Sequence, residues 1–174
     1  MSTPLAQTER QGRAAYAGPA DHLPKPYPLH VHGEVVKGFG RGSKQLGIPT
    51  ANLSEQAIEQ LCTDLSTGIY FGWAQLRGSD QEVRPMVMSL GWNPYYKNEK
   101  RSAEVHIIHE YANDFYGQEL RIAILGYIRP ELNYTGIDDL VEDIRTDIRV
   151  AQRSLNREPY LEQRRCPFFS SSLT

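Results

Sequence analysis

The chain has 174 residues, with 19 Lys+Arg against 21 Asp+Glu and a formal net charge of −2. That is one domain at about 100–200 residues per domain, and 40% hydrophobic with 23% charged residues excludes a disordered, collagenous or membrane-spanning chain. The balanced charge excludes the basic surplus of a dedicated nucleic-acid binder, and Cys62 and Cys166 have neither disulfide-framework nor zinc-site spacing. Residues 1–28 are rich in Pro, Gly, Ala and Gln, end in Leu23-Pro24-Lys25-Pro26-Tyr27-Pro28 and show no periodicity, so a flexible tail is expected. From Leu29 the pattern alternates, with Leu29, Val31, Gly33 and Val35 on one face of a strand running to Lys37. A glycine-rich loop, Gly38-Phe39-Gly40-Arg41-Gly42-Ser43-Lys44, follows, then Pro49-Thr50-Ala51-Asn52 and a short helix over 54–61 with Ser54 as N-cap.

Segments 67–76, 83–90, 101–111 and 119–128 are rich in Val, Ile, Tyr, Phe and Trp and bounded by Gly, Pro, Asn and Asp, as strands are. No helix-length segment separates them, which rules out parallel crossovers and leaves five or six antiparallel strands in a small closed barrel or sandwich. Apolar residues on both faces of 69–76 imply that something covers the outside of the sheet. The covering element is the helix predicted over 136–155, whose stripe is Ile137, Leu140, Val141, Ile144, Ile148, Ala151 and Leu155. Residues 156–174 read as a second tail. With no secretory signal and no long apolar run, a cytoplasmic protein without membrane association is expected.

Four segments have the residue types for chemistry. Closely spaced glycines let backbone N–H groups approach an anion, with Lys44 supplying charge. The spacing matches neither a Walker A loop nor the protein-kinase G-x-G-x-x-G, and a flexible hairpin connection is an equal alternative. Thr50 and Asn52 lie two apart, so in an extended segment their oxygens point to one side and suit Mg²⁺ with substrate phosphates; the alternative is capping of the helix near Ser54. In Ser102-Ala103-Glu104-Val105-His106-Ile107, Glu104, His106 and Ile108 share one face and Ala103, Val105, Ile107, His109 and Tyr111 the other. Glu104 with His106 forms either an acid–base pair in a cleft or a solvated surface. Gly126-Tyr127-Ile128-Arg129-Pro130-Glu131-Leu132-Asn133-Tyr134 could clasp a planar aromatic ligand, as could Trp92-Asn93-Pro94-Tyr95-Tyr96; otherwise these aromatics edge the core and Arg129 is an ordinary ion-pair partner.

Taken together and in this order, Gly33-Glu34-Val35-Val36-Lys37-Gly38-Phe39-Gly40-Arg41-Gly42-Ser43-Lys44-Gln45-Leu46-Gly47-Ile48-Pro49-Thr50-Ala51-Asn52 closely resembles the opening of the riboflavin kinase (flavokinase) family. So do Gly68-Ile69-Tyr70, Gly91-Trp92-Asn93-Pro94-Tyr95-Tyr96, Glu104-Val105-His106-Ile107, Asp114-Phe115-Tyr116-Gly117 and Gly126-Tyr127-Ile128-Arg129-Pro130-Glu131. The resemblance spans 29–155 and is to the monofunctional eukaryotic type; the stretch before it is too short for the adenylyltransferase module of the bacterial enzymes.

The resemblance implies a mainly β fold, a six-stranded antiparallel Greek-key barrel with a C-terminal helix packed on it, and the phosphorylation of riboflavin by ATP to give FMN. It implies that Gly38 and Lys44 close over ATP, that Thr50 and Asn52 bind Mg²⁺ and phosphate, and that Ile107, His109 and Tyr116 line the nucleotide site. It places the catalytic base at Glu104 and the flavin-holding flap at Arg129, Leu132 and Tyr134. The partners implied are riboflavin/FMN and ATP/ADP, with Zn²⁺ a second candidate metal and a monomer expected. The rival readings are a non-catalytic flavin-binding barrel and an oligonucleotide-binding barrel, for which Lys37, Arg41 and Lys44 make only a small basic cluster.

Overall fold

The computed structural model describes residues 10, 12–37, 47–61, 65–78, 80–92 and 100–172. Six strands, β1 (Leu29–Val36), β2 (Ala51–Leu53), β3 (Gly68–Leu76), β4 (Val83–Trp92), β5 (Arg101–Ile107) and β6 (Glu119–Arg129), pair antiparallel in the order β1-β2-β5-β4-β3-β6 and close into a barrel. The strand β6 returns to lie beside β3 after the run β3-β4-β5, which is the Greek-key connection. Closure removes the exposed edges that a short open sheet would present.

Alternation places the core as the sequence pattern requires. On β4, Met86, Met88 and Leu90 point into the barrel, and they meet Ala103, Val105 and Ile107 of β5 and Leu120, Ile122 and Ile124 of β6. The opposite faces of β3 and β6 carry Phe71, Trp73, Ala123 and Leu125, which are buried outside the barrel. The cover is α2 (Ile137–Leu155) followed by α3 (Glu158–Leu161): Ala151, Leu155 and Tyr160 pack on that outer face, and Trp73 Nε1 donates to the Tyr160 carbonyl at 2.9 Å. At Gly72 the two strands approach so closely that a Cβ would lie 1.8 Å from the Ala123 carbonyl oxygen, next to a break in the β3/β6 register.

Several boundaries differ from the sequence expectation. The strand β5 stops at Ile107, before the expected 111: the Ile108 N–H still reaches across to the Pro85 carbonyl, which neighbours the last β4/β5 pair, but the His109 N–H turns back to the Ile107 carbonyl. The short helix α1 (Glu55–Ile58) is capped by Ser54, whose Oγ accepts from the Ala57 N–H at 3.3 Å, so neither Thr50 nor Asn52 serves as its cap. The apolar stripe of α2 divides. Ala151 and Leu155 are buried and Ile148 packs beside them, whereas Ile137 is 63% exposed and Leu140 and Ile144 line a cavity. The buried positions from the start of the helix through its middle are Asp139, Asp143 and Asp147.

The flanks, which carry no periodicity, are packed. Residues 12–28 lay Ala17 and Leu23 against the outer cluster, and residues 156–172 add Tyr160 and Phe169 to it. Among the described residues no helix is long and apolar enough to cross a membrane.

Candidate active site

Two cavities lie on the two faces of β5. The first, of about 430 Å³, opens on the outer face. One wall carries Thr50, Ser89, Glu104 and His106; the opposite wall is the loop after β6, with Arg129, Glu131, Leu132 and Tyr134; Leu140, Ile144 and Asp147 of α2 complete it. Glu104 stands opposite Asn52 on β2 and Ser89 on β4. Directly opposed residues share a face, so Asn52, Glu104 and Ser89 form one polar row across three strands.

The wall opposite Glu104 is held by α2. Arg129 Nε lies 3.0 and 3.2 Å from the two Asp147 carboxylate oxygens and Nη2 lies 2.8 Å from Oδ2, a two-pronged pair between residues that are 7% and 1% exposed. Arg129 Nη1 also donates to the Pro130 carbonyl at 3.1 Å, fixing the start of the loop. Arg129 is therefore both a structural ion-pair partner and a cavity residue. Burial pushes the Asp147 carboxyl up, and Arg129 works against that shift. The Tyr134 hydroxyl donates to Asp143 Oδ2 at 2.5 Å, and burial, with that hydrogen bond, raises its pKa, so the phenol stays protonated.

His106 Nδ1 lies 2.7 Å from the Pro49 carbonyl oxygen, which can only accept, so Nδ1 carries the proton. Burial lowers the His106 pKa; the ring is neutral at pH 7 and its Nε2 is an acceptor. The same hydrogen bond pins the segment 48–50, whose Ile48 and Thr50 line the first cavity while Pro49 lines the second.

That second cavity, of about 370 Å³, sits at the barrel mouth, where Val105, Ile107 and His109 continue the inward face of β5. His109 meets Tyr111 edge-on at 4.7 Å between ring centroids, and Tyr111 meets Phe115 at 5.1 Å. An apolar, aromatic lining of this kind suits a planar heterocycle.

The structure thus brings Thr50, Glu104, Arg129, Leu132 and Tyr134 to one cavity and Ile107 and His109 to the other. Asn52 neighbours Glu104 in register but lines neither cavity. Tyr116 is 52% exposed and lines neither; its neighbour Gly117 donates its N–H to the Val35 carbonyl at 2.9 Å, beside the point where β1 ends. Gly38 and Lys44, like the aromatic stretch 93–96, lie outside the described residues. Asp143 and Asp147 were not read from the sequence as site residues, although their four-residue spacing next to Leu140 and Ile144 puts them beside the apolar stripe on a helical wheel.

The family model described as riboflavin kinase matches residues 25–155, which include both cavities. The chain belongs to the riboflavin kinase family. Riboflavin kinase from Mus musculus is 51% identical over 145 residues, covering 83% of this chain and 92% of that protein. The bifunctional riboflavin kinase/FMN phosphatase of Arabidopsis thaliana is 45% identical over 143 residues, 82% of this chain but 37% of that one. Among solved structures, the crystal structure of riboflavin kinase from Trypanosoma brucei matches with a TM-score of 0.69 at 27% identity, over 87% of this chain and 94% of that chain. The family's barrel and C-terminal helix are the architecture described above.

Proposed function

We propose that the chain is a riboflavin kinase that transfers the γ-phosphate of ATP to the 5′-hydroxyl of riboflavin, giving FMN and ADP. The observation that carries this reading is the placement of two cavities back to back across β5, with Glu104 on the wall of one and an aromatic cluster at the other. Riboflavin occupies the cavity closed by Arg129, Leu132 and Tyr134, and the adenine of ATP occupies the cavity lined by Ile107 and His109. Gly38, Lys44 and Tyr116 belong to the ATP side.

Phosphoryl transfer depends chiefly on positioning and charge neutralisation. The flavin hydroxyl must still lose its proton, and Glu104 is the acceptor; a positioned general base contributes about 10²–10⁴-fold. The Glu104 carboxylate takes the proton as the hydroxyl oxygen bonds to the γ-phosphorus and the β–γ bridging oxygen leaves with ADP. His106 holds the 48–50 segment and thereby Thr50.

A metal would be held by the Thr50 hydroxyl and the Asn52 amide oxygen, which stand beside Glu104. These are neutral, hard oxygen donors, which fit Mg²⁺ shared with phosphate better than Zn²⁺, which is held by Cys, His and carboxylate side chains. Among the described residues no group of three or more His, Cys, Asp and Glu could hold a metal ion, and nothing there favours zinc. Mg²⁺ bound at Thr50 and Asn52 would supply neutralisation of phosphate charge. The catalytic unit is residues 29–155, acting as a cytoplasmic monomer with no nucleic-acid partner.

The test is incubation of the purified chain with riboflavin and Mg-ATP, with FMN followed by chromatography. FMN formation with one ADP per FMN is expected. Retention of flavin without product over a range of Mg²⁺ concentrations would overturn the kinase reading and leave a flavin-binding barrel.

A further inference from the structure

Behind the wall assigned to riboflavin, α2 buries three carboxylates four residues apart, Asp139, Asp143 and Asp147. Two of them hold cavity residues: Asp147 grips Arg129 and Asp143 accepts from Tyr134. The same carboxylates are met from the other side by the N-terminal segment. Arg13 Nη1 lies 3.1 Å from Asp147 Oδ1, and Arg13 Nη2 lies 3.7 Å from Asp143 Oδ1. Arg10 pairs with Asp139 at 2.9 Å and places Nε 3.3 Å from Asp143 Oδ1. That Asp143 oxygen has no hydrogen-bond partner among the described residues, so the two arginines balance it by charge.

The ledger of charge is even: Arg10, Arg13 and Arg129 against Asp139, Asp143 and Asp147. Removing the two N-terminal arginines leaves three acids at four-residue spacing facing one cation, and like charges at that spacing repel. Asp143 is 0% exposed, so water reaches its charge only if the segment or the helix moves. The segment runs along α2 in the helix direction and is tied at further points: the Ala17 N–H donates to Ser154 Oγ at 3.0 Å, and Tyr160 Oη donates to the Pro19 carbonyl at 2.9 Å.

We propose that residues 10 and 12–19 brace the riboflavin wall, with Arg10 and Arg13 acting as positioning residues that set flavin affinity through the Asp143–Tyr134 and Asp147–Arg129 pairs while touching neither substrate. The proposal rests on assigning that cavity to riboflavin. It concerns a segment that the phosphoryl-transfer chemistry does not use.

The test compares the full chain with its Arg10→Gln/Arg13→Gln variant, measuring initial rates against riboflavin and ATP separately, and riboflavin Kd by quenching of flavin fluorescence. The riboflavin KM and Kd are expected to rise by roughly 2- to 30-fold, the range for coupling through a packed network. The KM for ATP and kcat should stay within about twofold, since the arginines meet the carboxylates behind Arg129 and Tyr134, which line the riboflavin cavity and not the other one. In an Asp143→Asn background, where the amide oxygen still accepts from Tyr134 but the buried charge is gone, the same two substitutions should have a smaller effect. If the double variant folds poorly, Arg10→Gln and Arg13→Gln are measured singly. Riboflavin KM and Kd equal to the parent's, a shift confined to ATP, or an undiminished effect in the Asp143→Asn background overturns the brace. The parent is assayed first: absence of FMN formation there overturns the kinase assignment instead.

Discussion

In an Asp147→Ala variant the Arg129 guanidinium, 7% exposed, keeps its charge and loses the acceptor of its Nε and Nη2 groups. Removing one partner of a buried ion pair costs about 3–5 kcal/mol, because an uncompensated charge remains in a low-dielectric site. In a chain of this length each kcal/mol lowers Tm by about 2–4 °C, so the melt should fall by about 6–20 °C. Circular dichroism melts and urea titrations give the two independent readings. The control is Arg129→Met/Asp147→Leu, which removes both charges and fills the space with apolar atoms; such exchanges are often neutral or stabilising, and Arg13, which loses Asp147 in both variants, keeps Asp143 at 3.7 Å. The same single variant frees the start of the loop that Arg129 Nη1 fixes through the Pro130 carbonyl, so the riboflavin KM should rise as well. A loss below about 1 kcal/mol in the single variant, or equal losses in the single and double variants, would refute the view that this pair is held by mutual compensation.

Glu104→Gln should lower kcat by about 10²–10⁴-fold while riboflavin quenching and the KM for ATP stay near the parent's values; near-parent turnover removes Glu104 from proton transfer. Asn52→Ala should raise the Mg²⁺ concentration needed for half-maximal rate, and an unchanged Mg²⁺ titration counts against its ligand role. His106 has its folded pKa below the ordinary imidazole value because burial disfavours the cation. The unfolded chain therefore binds more protons just below about pH 6.5, and the folded state loses stability as pH falls through that window. His30 has the same direction from burial, so the readout is the difference between parent and His106→Gln: the variant should lose less stability between about pH 6.5 and 5, and parallel curves would exclude the contribution.

Strand content was legible because β-favouring residues cluster between turn residues over 67–76, 83–90, 101–111 and 119–128, and because Leu29, Val31, Gly33 and Val35 alternate. The barrel's closing strand β2 was not, since only Ala51–Leu53 pair and that length carries no usable period. Alternation alone separates the two faces of β5, but whether Glu104 meets solvent or a cleft depends on the loop after β6, which lies distant in sequence. The helical period marks α2 to within one residue but not its whole buried face, because an apolar stripe is the usual sign of burial and Asp139, Asp143 and Asp147 are buried against arginines instead. Nothing in residues 1–28 signalled packing. Arg10 and Arg13 are ordinary surface residues until the helix they meet is known.

The alternation that makes β5 legible also explains how so small a barrel can serve two substrates. Successive side chains of a strand point to opposite faces. Glu104 and His106 thus face the outer cavity, while Val105 and Ile107 face the mouth of the barrel. The adjoining 48–50 segment repeats the arrangement, with Ile48 and Thr50 on one side and Pro49 on the other. Under the proposed assignment, the phosphate donor and the flavin approach from the two faces of β5 and meet near Thr50, Asn52 and Glu104. The hydrogen bond from His106 Nδ1 to the Pro49 carbonyl joins the two walls at that point. A substitution that breaks it should therefore disturb both substrates' KM values together, unlike loss of the N-terminal brace, which should act on riboflavin alone.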